Sequence, residues 1–386
     1  MSRSETQVTG RLNSRALVLE AIRANAPISR VELAQLTGLT SASITNIVRT
    51  LLSGGLISEV GHSESTGGKR RVLLEVNHDA RYALGIQFGS GAISLAISNL
   101  WGAVVGRSRS RAAAAADPQS TVSRMAVAAN ALVSSLGIDP KAVVGAGVAA
   151  PGPLNHAAGT LIAARNLPNW KDFPLRDELA KASHQHVTLH HDADAAAAGE
   201  AWSGAARDSR SLALIYMDVG IGSGLILDGE PARGASGNAG EFGHVVVDHA
   251  GPKCGCGSRG CLEAVGGPRA IEAAYETMTG RRQSFSRIGT AALNEEPEAL
   301  LLVQASADAM ATAVLSIANV LDLDQVVLAG PGFGEAVSLY AQAISSRLED
   351  DFASRSAHSI KVGISLNMRD AAAVGASVLA LRGHLA

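Results

Sequence analysis

The sequence predicts a doubled α/β body with a cleft between two lobes, preceded by a small helical head that ends in a two-stranded wing. Three observations lead there. From residue 81 the chain runs twice through one grammar: a strand hairpin, helices, and a buried strand ending in a Gly/Pro turn. Before residue 80, three short helices with start and stop signals precede two strand-like runs. All three cysteines of this 386-residue chain, Cys254, Cys256 and Cys261, fall within eight positions, ten residues after His244.

The head comes first. Residues 13–25, NSRALVLEAIRAN, place Leu17, Leu19 and Ile22 at helical spacing, and Pro27 ends that helix. Ser29, with Glu32 three residues on, is a capping box that opens a second helix, stopped at Gly38. Thr40 or Ser41 caps a third, SASITNIVRTLLSGG, which ends at Gly54-Gly55. Its buried stripe is Ile44, Val48, Leu51 and Leu52. That leaves Ser41, Ala42, Ser43, Thr45, Asn46 and Arg49 outside. Two short helices with a Gly-containing turn between them form the helix-turn-helix arrangement. The small polar face of the third helix fits a major groove, where Asn46 and Arg49 can read adenine and guanine edges. LISEV and RRVLLEV, joined by GHSESTGGKR, make a wing whose Lys69, Arg70 and Arg71 would meet phosphates or the minor groove. A small three-helix interaction domain would share the helices; the basic wing favours DNA. Residues 1–80 carry nine Lys/Arg against seven Asp/Glu, so the overall net charge of −2 hides a weakly basic head. The bulk charge itself exerts no pull toward nucleic acid or membrane.

In the body, YALGIQFG and AISLAISNL form the first hairpin, and TVSRMAVAANALVSSLG an amphipathic helix. AVVGAGVAAPGPLN is a buried strand running into a turn. SLALIYMDVGIGSGLILDG opens the second cycle, and QVVLAGPGFG closes it. The final helix, AAAVGASVLALRG, is expected to pack back on the first lobe. The expected division is 1–78 for the head, 79–195 with the helix 371–386 for the first lobe, and 196–370 for the second lobe with its cysteine loop. Apolar residues make up 47% and charged residues 18%, which supports a sizeable core and excludes global disorder. The start, MSRSETQVTGRLNSRAL, lacks the apolar segment of a signal peptide, and no apolar run approaches the ~20 residues of a membrane span. A cytoplasmic protein without a membrane partner is expected.

One imidazole and three thiolates, His244, Cys254, Cys256 and Cys261, are the ligand set of a closed tetrahedral zinc site, and Gly255, Gly257 and Gly260 let the loop fold around an ion. The odd count argues against a disulfide framework. A second metal reading, on His184, His186, His190 and His191, lacks a further ligand at fixed spacing. These are expected to be surface or core histidines, with His184 and His186 sharing a strand face.

AGEFGH (239–244) followed by CGCGSRGCLE (254–263) closely resembles the signature of the ROK family of sugar kinases and sugar-responsive repressors. A weaker resemblance runs from about residue 81 to the C-terminus. It implies an actin-like, ribonuclease-H-like fold in two lobes, with the winged helix-turn-helix that the family's repressors carry and its kinases lack. It also implies structural zinc on the His/Cys₃ set. Asp192, Glu241 and Glu263 would contact sugar hydroxyls, Asn166 would add a further contact, and His244 would serve both zinc and sugar. Asp192 matches the general base of the kinases. The departures matter. His191 and Asp194 stand where the family has Asn, Gln87 stands where an acid would position magnesium, and Gly89-Ser90-Gly91 replaces Gly-Gly-Thr. Asp218 and Val219 replace a Gly-Thr pair, and LAGPGFG departs from three glycines. The sugar half of the site is retained, with His191 still able to hydrogen-bond a hydroxyl, and the ATP half is degraded. The expectation is therefore a repressor rather than an enzyme, a homodimer or homotetramer on operator DNA with a sugar or sugar-derivative effector. An ATP-dependent sugar kinase, or a regulator with residual kinase activity, is the alternative.

Overall fold

Capping builds the head. Asn13 accepts a hydrogen bond from the amide of Ala16 and starts α1 (Ser14–Asn25). The short strand β1 (Ile28–Ser29) follows, and then α2 (Arg30–Thr37). There Ser29 and Glu32 close the expected box, and Gly38 ends the helix in the left-handed region at φ 70°. Thr40 caps α3 (Ser41–Ser53). Each such cap is worth about 1 kcal/mol. Strands β2 (Ile57–His62) and β3 (Val72–Val76) form the wing, and β3 also pairs with β1, giving a three-stranded sheet where two strands were expected. The computed structural model describes residues 13–62, 70–89, 91–111, 117–163 and 167–385. Lys69, Ser90 and Asn166 lie outside them.

The first lobe is the five-stranded sheet β10-β7-β4-β5-β6. Its strands are β4 (Tyr82–Phe88), β5 (Ala92–Asn99), β6 (Val104–Arg111), β7 (Val143–Ala150) and β10 (Val187–His191). Helix α4 (Pro118–Ser135) precedes β7. The two-stranded β8 (Leu154–Asn155) and β9 (Thr160–Leu161) and helix α5 (Leu175–Ser183) lie between β7 and β10. Helix α6 (Asp192–Ser203) leads to the second sheet, β13-β12-β11-β14-β15. Its members are β11 (Leu212–Met217), β12 (Ile221–Leu227), β13 (Glu230–Pro231), β14 (Gln325–Ala329) and β15 (Lys361–Ile364). Between β13 and β14 come α7 (Leu262–Gly266), α8 (Pro268–Thr279), α9 (Phe285–Leu293) and α10 (Pro297–Leu321). Helix α11 (Val337–Asp351) follows β14, and α12 (Ala371–Leu385) follows β15. In each sheet an antiparallel hairpin, β4–β5 or β11–β12, is joined by two parallel strands, β7 and β10 or β14 and β15. The predicted doubling is therefore exact in topology.

Small residues hold the centre. Helices α6 and α12 lie against each other, α6 also against β11 and β12, and α12 against β4, β5 and β7. A Cβ on Gly375 would fall 1.6 Å from the carbonyl oxygen of Ala195, one on Gly85 1.8 Å from that of Ala373, and one on Gly147 2.1 Å from that of Ala376. Backbone meets backbone there, so only glycine fits. The head has no core closed on itself: Val18, Leu19, Ile22, Ile44 and Val48 cluster with Ala83 and Leu100 of the first lobe and with Ala380 and Leu381 of α12.

Three expectations need correcting. Leu52 is only partly buried beside the fully buried Ile44, Val48 and Leu51. His184 ends α5 in the left-handed conformation (φ 54°) and does not share a strand face with His186. Helix α10, 25 residues and largely apolar, has the length and composition to cross a membrane; here Val303, Met310 and Val314 lie in the second-lobe core.

Candidate functional site

The cleft opens where parallel strand β10 ends at His191 and α6 begins at Asp192, the strand-end position where α/β sheets bind ligands. It encloses about 660 Å³. His191, Asp192, Glu241, His244 and Glu263 all line it, so five predicted sugar residues converge; the sixth, Asn166, lies outside the described residues. Asp192 sits in the first turn of α6, where its Oδ1 accepts the Ala193 amide at 2.8 Å. Burial pushes its carboxyl up against the opposing pull of His191. His191 Nδ1 is 3.5 Å from that Oδ1, buried and without a hydrogen-bond partner among the described residues. Burial also raises Asp194 to about 6.

Glu263 sits in the first turn of α7 and accepts the Ile221 amide at 3.3 Å, which ties it to the β11–β12 turn. Glu241 ends a glycine approach: a Cβ on Gly240 (φ 90°) would fall 1.9 Å from the Ser223 carbonyl oxygen. Glu241 Oε2 lies 3.8 Å from His244 Nε2.

The other imidazole nitrogen, His244 Nδ1, is 3.6 Å from Cys254 Sγ, and Cys256 Sγ is 3.6 Å from Cys261 Sγ. All four ligand atoms lie within 4.8 Å of one another. Zinc with bonds of about 2.3 Å to sulfur and about 2.0 Å to nitrogen makes tetrahedron edges of roughly 3.5–3.8 Å, which the two 3.6 Å pairs match, and the donor set suits the ion. Burial and neighbouring thiols push Cys261 up to about 11. A dication would release those protons. The loop depends on Gly260 (φ 67°), where a Cβ would fall 1.5 Å from the Asp248 carbonyl oxygen.

In and beside the cleft stand residues that the sugar motifs do not name. Gln87 donates to the Tyr216 hydroxyl at 2.5 Å, and its Oε1 is buried without a partner. Asp218 Oδ2 lies 2.8 Å from where a Cβ on Gly89 would stand, so its carboxylate faces the first-lobe turn. Burial, and then the charge of Asp192, raise Asp218 to about 6. Tyr216, Lys253 and Arg269 also line the cleft. Only the placement of Tyr216, two residues before the turn of MDVG at the end of a buried strand, hinted at this.

On the head, Ser41, Thr45, Asn46 and Arg49 are exposed and Ser43 is half-buried. Thr45 donates back to the Ser41 carbonyl at 2.8 Å, and Arg49 donates to Asn46 at 3.4 Å. Arg70 and Arg71 are exposed at the start of β3, and Lys69 lies outside the described residues.

The ROK family profile matches residues 83–383. The chain belongs to the ROK family. Residues 14–58 of this ROK chain match a winged helix-turn-helix DNA-binding profile. Among its ROK relatives, the xylose repressor of Bacillus subtilis is 30% identical over 279 residues, 72% of each chain. The glucokinase of Thermotoga maritima is 30% identical over 245 residues, 60% of this chain and 77% of the glucokinase. A crystal structure of a ROK family transcriptional regulator, a homolog of the E. coli MLC protein, superposes with a TM-score of 0.80 over 96% of both chains at 25% identity.

Proposed function

We propose that this chain is a sugar-responsive transcription regulator, a repressor that binds operator DNA through its winged helix and a sugar or sugar derivative in the interlobe cleft. One observation carries the reading: a head of DNA-binding type shares a hydrophobic core with the ROK body that holds the cleft. Similarity to the MLC-like regulator spans head and body, whereas similarity to the glucokinase takes in 60% of the chain. Asn166, His191, Asp192, Glu241, His244 and Glu263 take the sugar. Ser41, Ser43, Thr45, Asn46 and Arg49 face the major groove, and Lys69, Arg70 and Arg71 meet the backbone beside it. His244, Cys254, Cys256 and Cys261 hold structural zinc, which supplies a rigid anchor between Glu241 and Glu263. The units are 1–78, 79–195 with 371–386, and 196–370, working in the cytoplasm.

The kinase alternative meets an obstacle on the phosphate side. Phosphoryl transfer needs phosphate cradles and a carboxylate that positions magnesium. Gln87 offers an amide already engaged with Tyr216, and the Asp218 carboxylate faces Gly89, where a triphosphate would meet like charge. Asp192 then binds a hydroxyl without transferring its proton onward.

A thermal-shift panel of D-xylose, D-glucose, D-mannose and N-acetyl amino sugars tests the cleft. A bound sugar at 100 times its Kd adds about 2.7 kcal/mol and raises Tm by several degrees. With ATP and magnesium added, ADP should stay at background. Clear ADP formation that Asp192→Ala abolishes would make the chain a kinase.

A further inference from the structure

Helix α6 begins in the cleft and ends against the head. Asp192 and Asp194 occupy its first turn. Near its other end, the Trp202 carbonyl accepts a hydrogen bond from Nη1 of Arg23, on α1, at 3.1 Å. The Arg23 guanidinium lies 4.2 Å from the Trp202 ring centroid, and that of Arg382, on α12, lies 5.4 Å from it. Helices from the head, the cleft and the end of the first lobe thus meet on one indole. Helix α6 spans ~18 Å at the standard rise. Its alanines and Gly199 press it against α12, with a Gly199 Cβ falling 2.9 Å from the Gly375 Cα. Packing that tight passes a displacement on instead of absorbing it.

The joint itself is less fully matched. Trp202 Nε1 is a buried donor and Glu20 Oε1 a buried acceptor, and neither has a hydrogen-bond partner among the described residues. Glu20 pairs with Arg23 through its other oxygen at 3.1 Å. A rigid rod that ends in a contact with unused donors and acceptors is suited to two arrangements.

We propose that Trp202 is the positioning residue that couples the cleft to the head. A ligand that closes the cleft shifts α6, and the Arg23–Trp202–Arg382 stack converts that shift into a reorientation of α1. The proposal rests on the cleft being the sugar site.

The test uses the full chain, a DNA duplex selected from random sequence by the wild type, and the sugar that the thermal-shift panel identifies. The readout is the ratio of duplex Kd values with and without saturating sugar, which is the coupling factor between the two sites. The wild type should show a ratio within the usual range of about 5- to 150-fold. Trp202→Ala should bring it below about 2-fold while sugar Kd and sugar-free duplex Kd stay within about 3-fold of wild type. Trp202→Phe keeps a ring between the two guanidiniums and should keep the ratio. Arg23→Ala, which alters only the head's side of the joint, should lose it as Trp202→Ala does. A wild-type ratio in Trp202→Ala and Arg23→Ala overturns the proposal and leaves the sugar reading standing. Equal loss of both affinities with no change in ratio reduces Trp202 to a structural role and also overturns it. If no sugar in the panel binds the wild type, the sugar reading fails and takes the proposal with it.

Discussion

Burial holds the carboxyls of Asp194 and Asp218 at about 6, so the folded chain keeps protons there that an unfolded aspartate releases near 3.9. Between those values the folded state binds more protons than the unfolded one. Stability therefore falls as pH rises through that window, and the full penalty, up to roughly 3 kcal/mol per group, stands above it. Asp218→Asn should accordingly raise Tm at about pH 7.5, with a gain that fades toward about pH 4.5, as thermal denaturation across that range would record. A gain that ignored pH would show that charge burial is not its cause. On the head, Arg49→Ala should cost about 1–3 kcal/mol on a preferred duplex and flatten base preference at its position. Arg70→Ala should weaken every duplex alike and shallow the salt slope by about 1. Competition titrations at two salt concentrations separate them. At this scale the sequence yielded the acids that line the cleft and the His/Cys₃ cluster because each sits in a motif of fixed spacing. Tyr216, Lys253 and Arg269 reach the cleft from a strand end, a loop and a helix start, and no local pattern says that those three will converge.

Elements with chemical punctuation were legible. The Ser29–Glu32 box, Gly38 and Thr40 place α2 and α3 where the sequence puts them, because a cap is a local bond between near neighbours. Strand β1 was not, since two residues acquire strand geometry only from their partner β3. His184 was misread because period-two spacing across KASHQH cannot say that α5 runs to Ser183. The loop between Glu241 and Glu263 makes a prediction of its own. Its fold places three thiols and an imidazole within one ion's reach, so binding energy for the metal is folding energy for the loop. Cys254→Ser should lose stoichiometric zinc by elemental analysis, lower Tm by several degrees and abolish the sugar-induced shift. A full sugar shift in the zinc-free variant would break the link between loop and cleft.

At the scale of the molecule, the doubled topology was readable because strand hairpin and buried strand recur in the same order in each half. How the head attaches was not, because the residues that join it, Ala83, Leu100, Ala380 and Leu381, are scattered from one end of the body's sequence to the other. A single reading head of this size makes few base contacts, so operator affinity calls for a two-fold assembly on a two-fold site. Sedimentation should give a dimer or tetramer, and duplexes selected from random sequence should be palindromic; a monomer on an asymmetric site would contradict both. The position of α12 adds a constraint of its own. It follows every other described element in the chain, yet it lies under β4, β5 and β7 and beneath α1. Truncation after β15 therefore takes Ala380 and Leu381 out of the core that the head shares with the body, leaving the reading face to lean on Ala83 and Leu100 without the helix that completes its support.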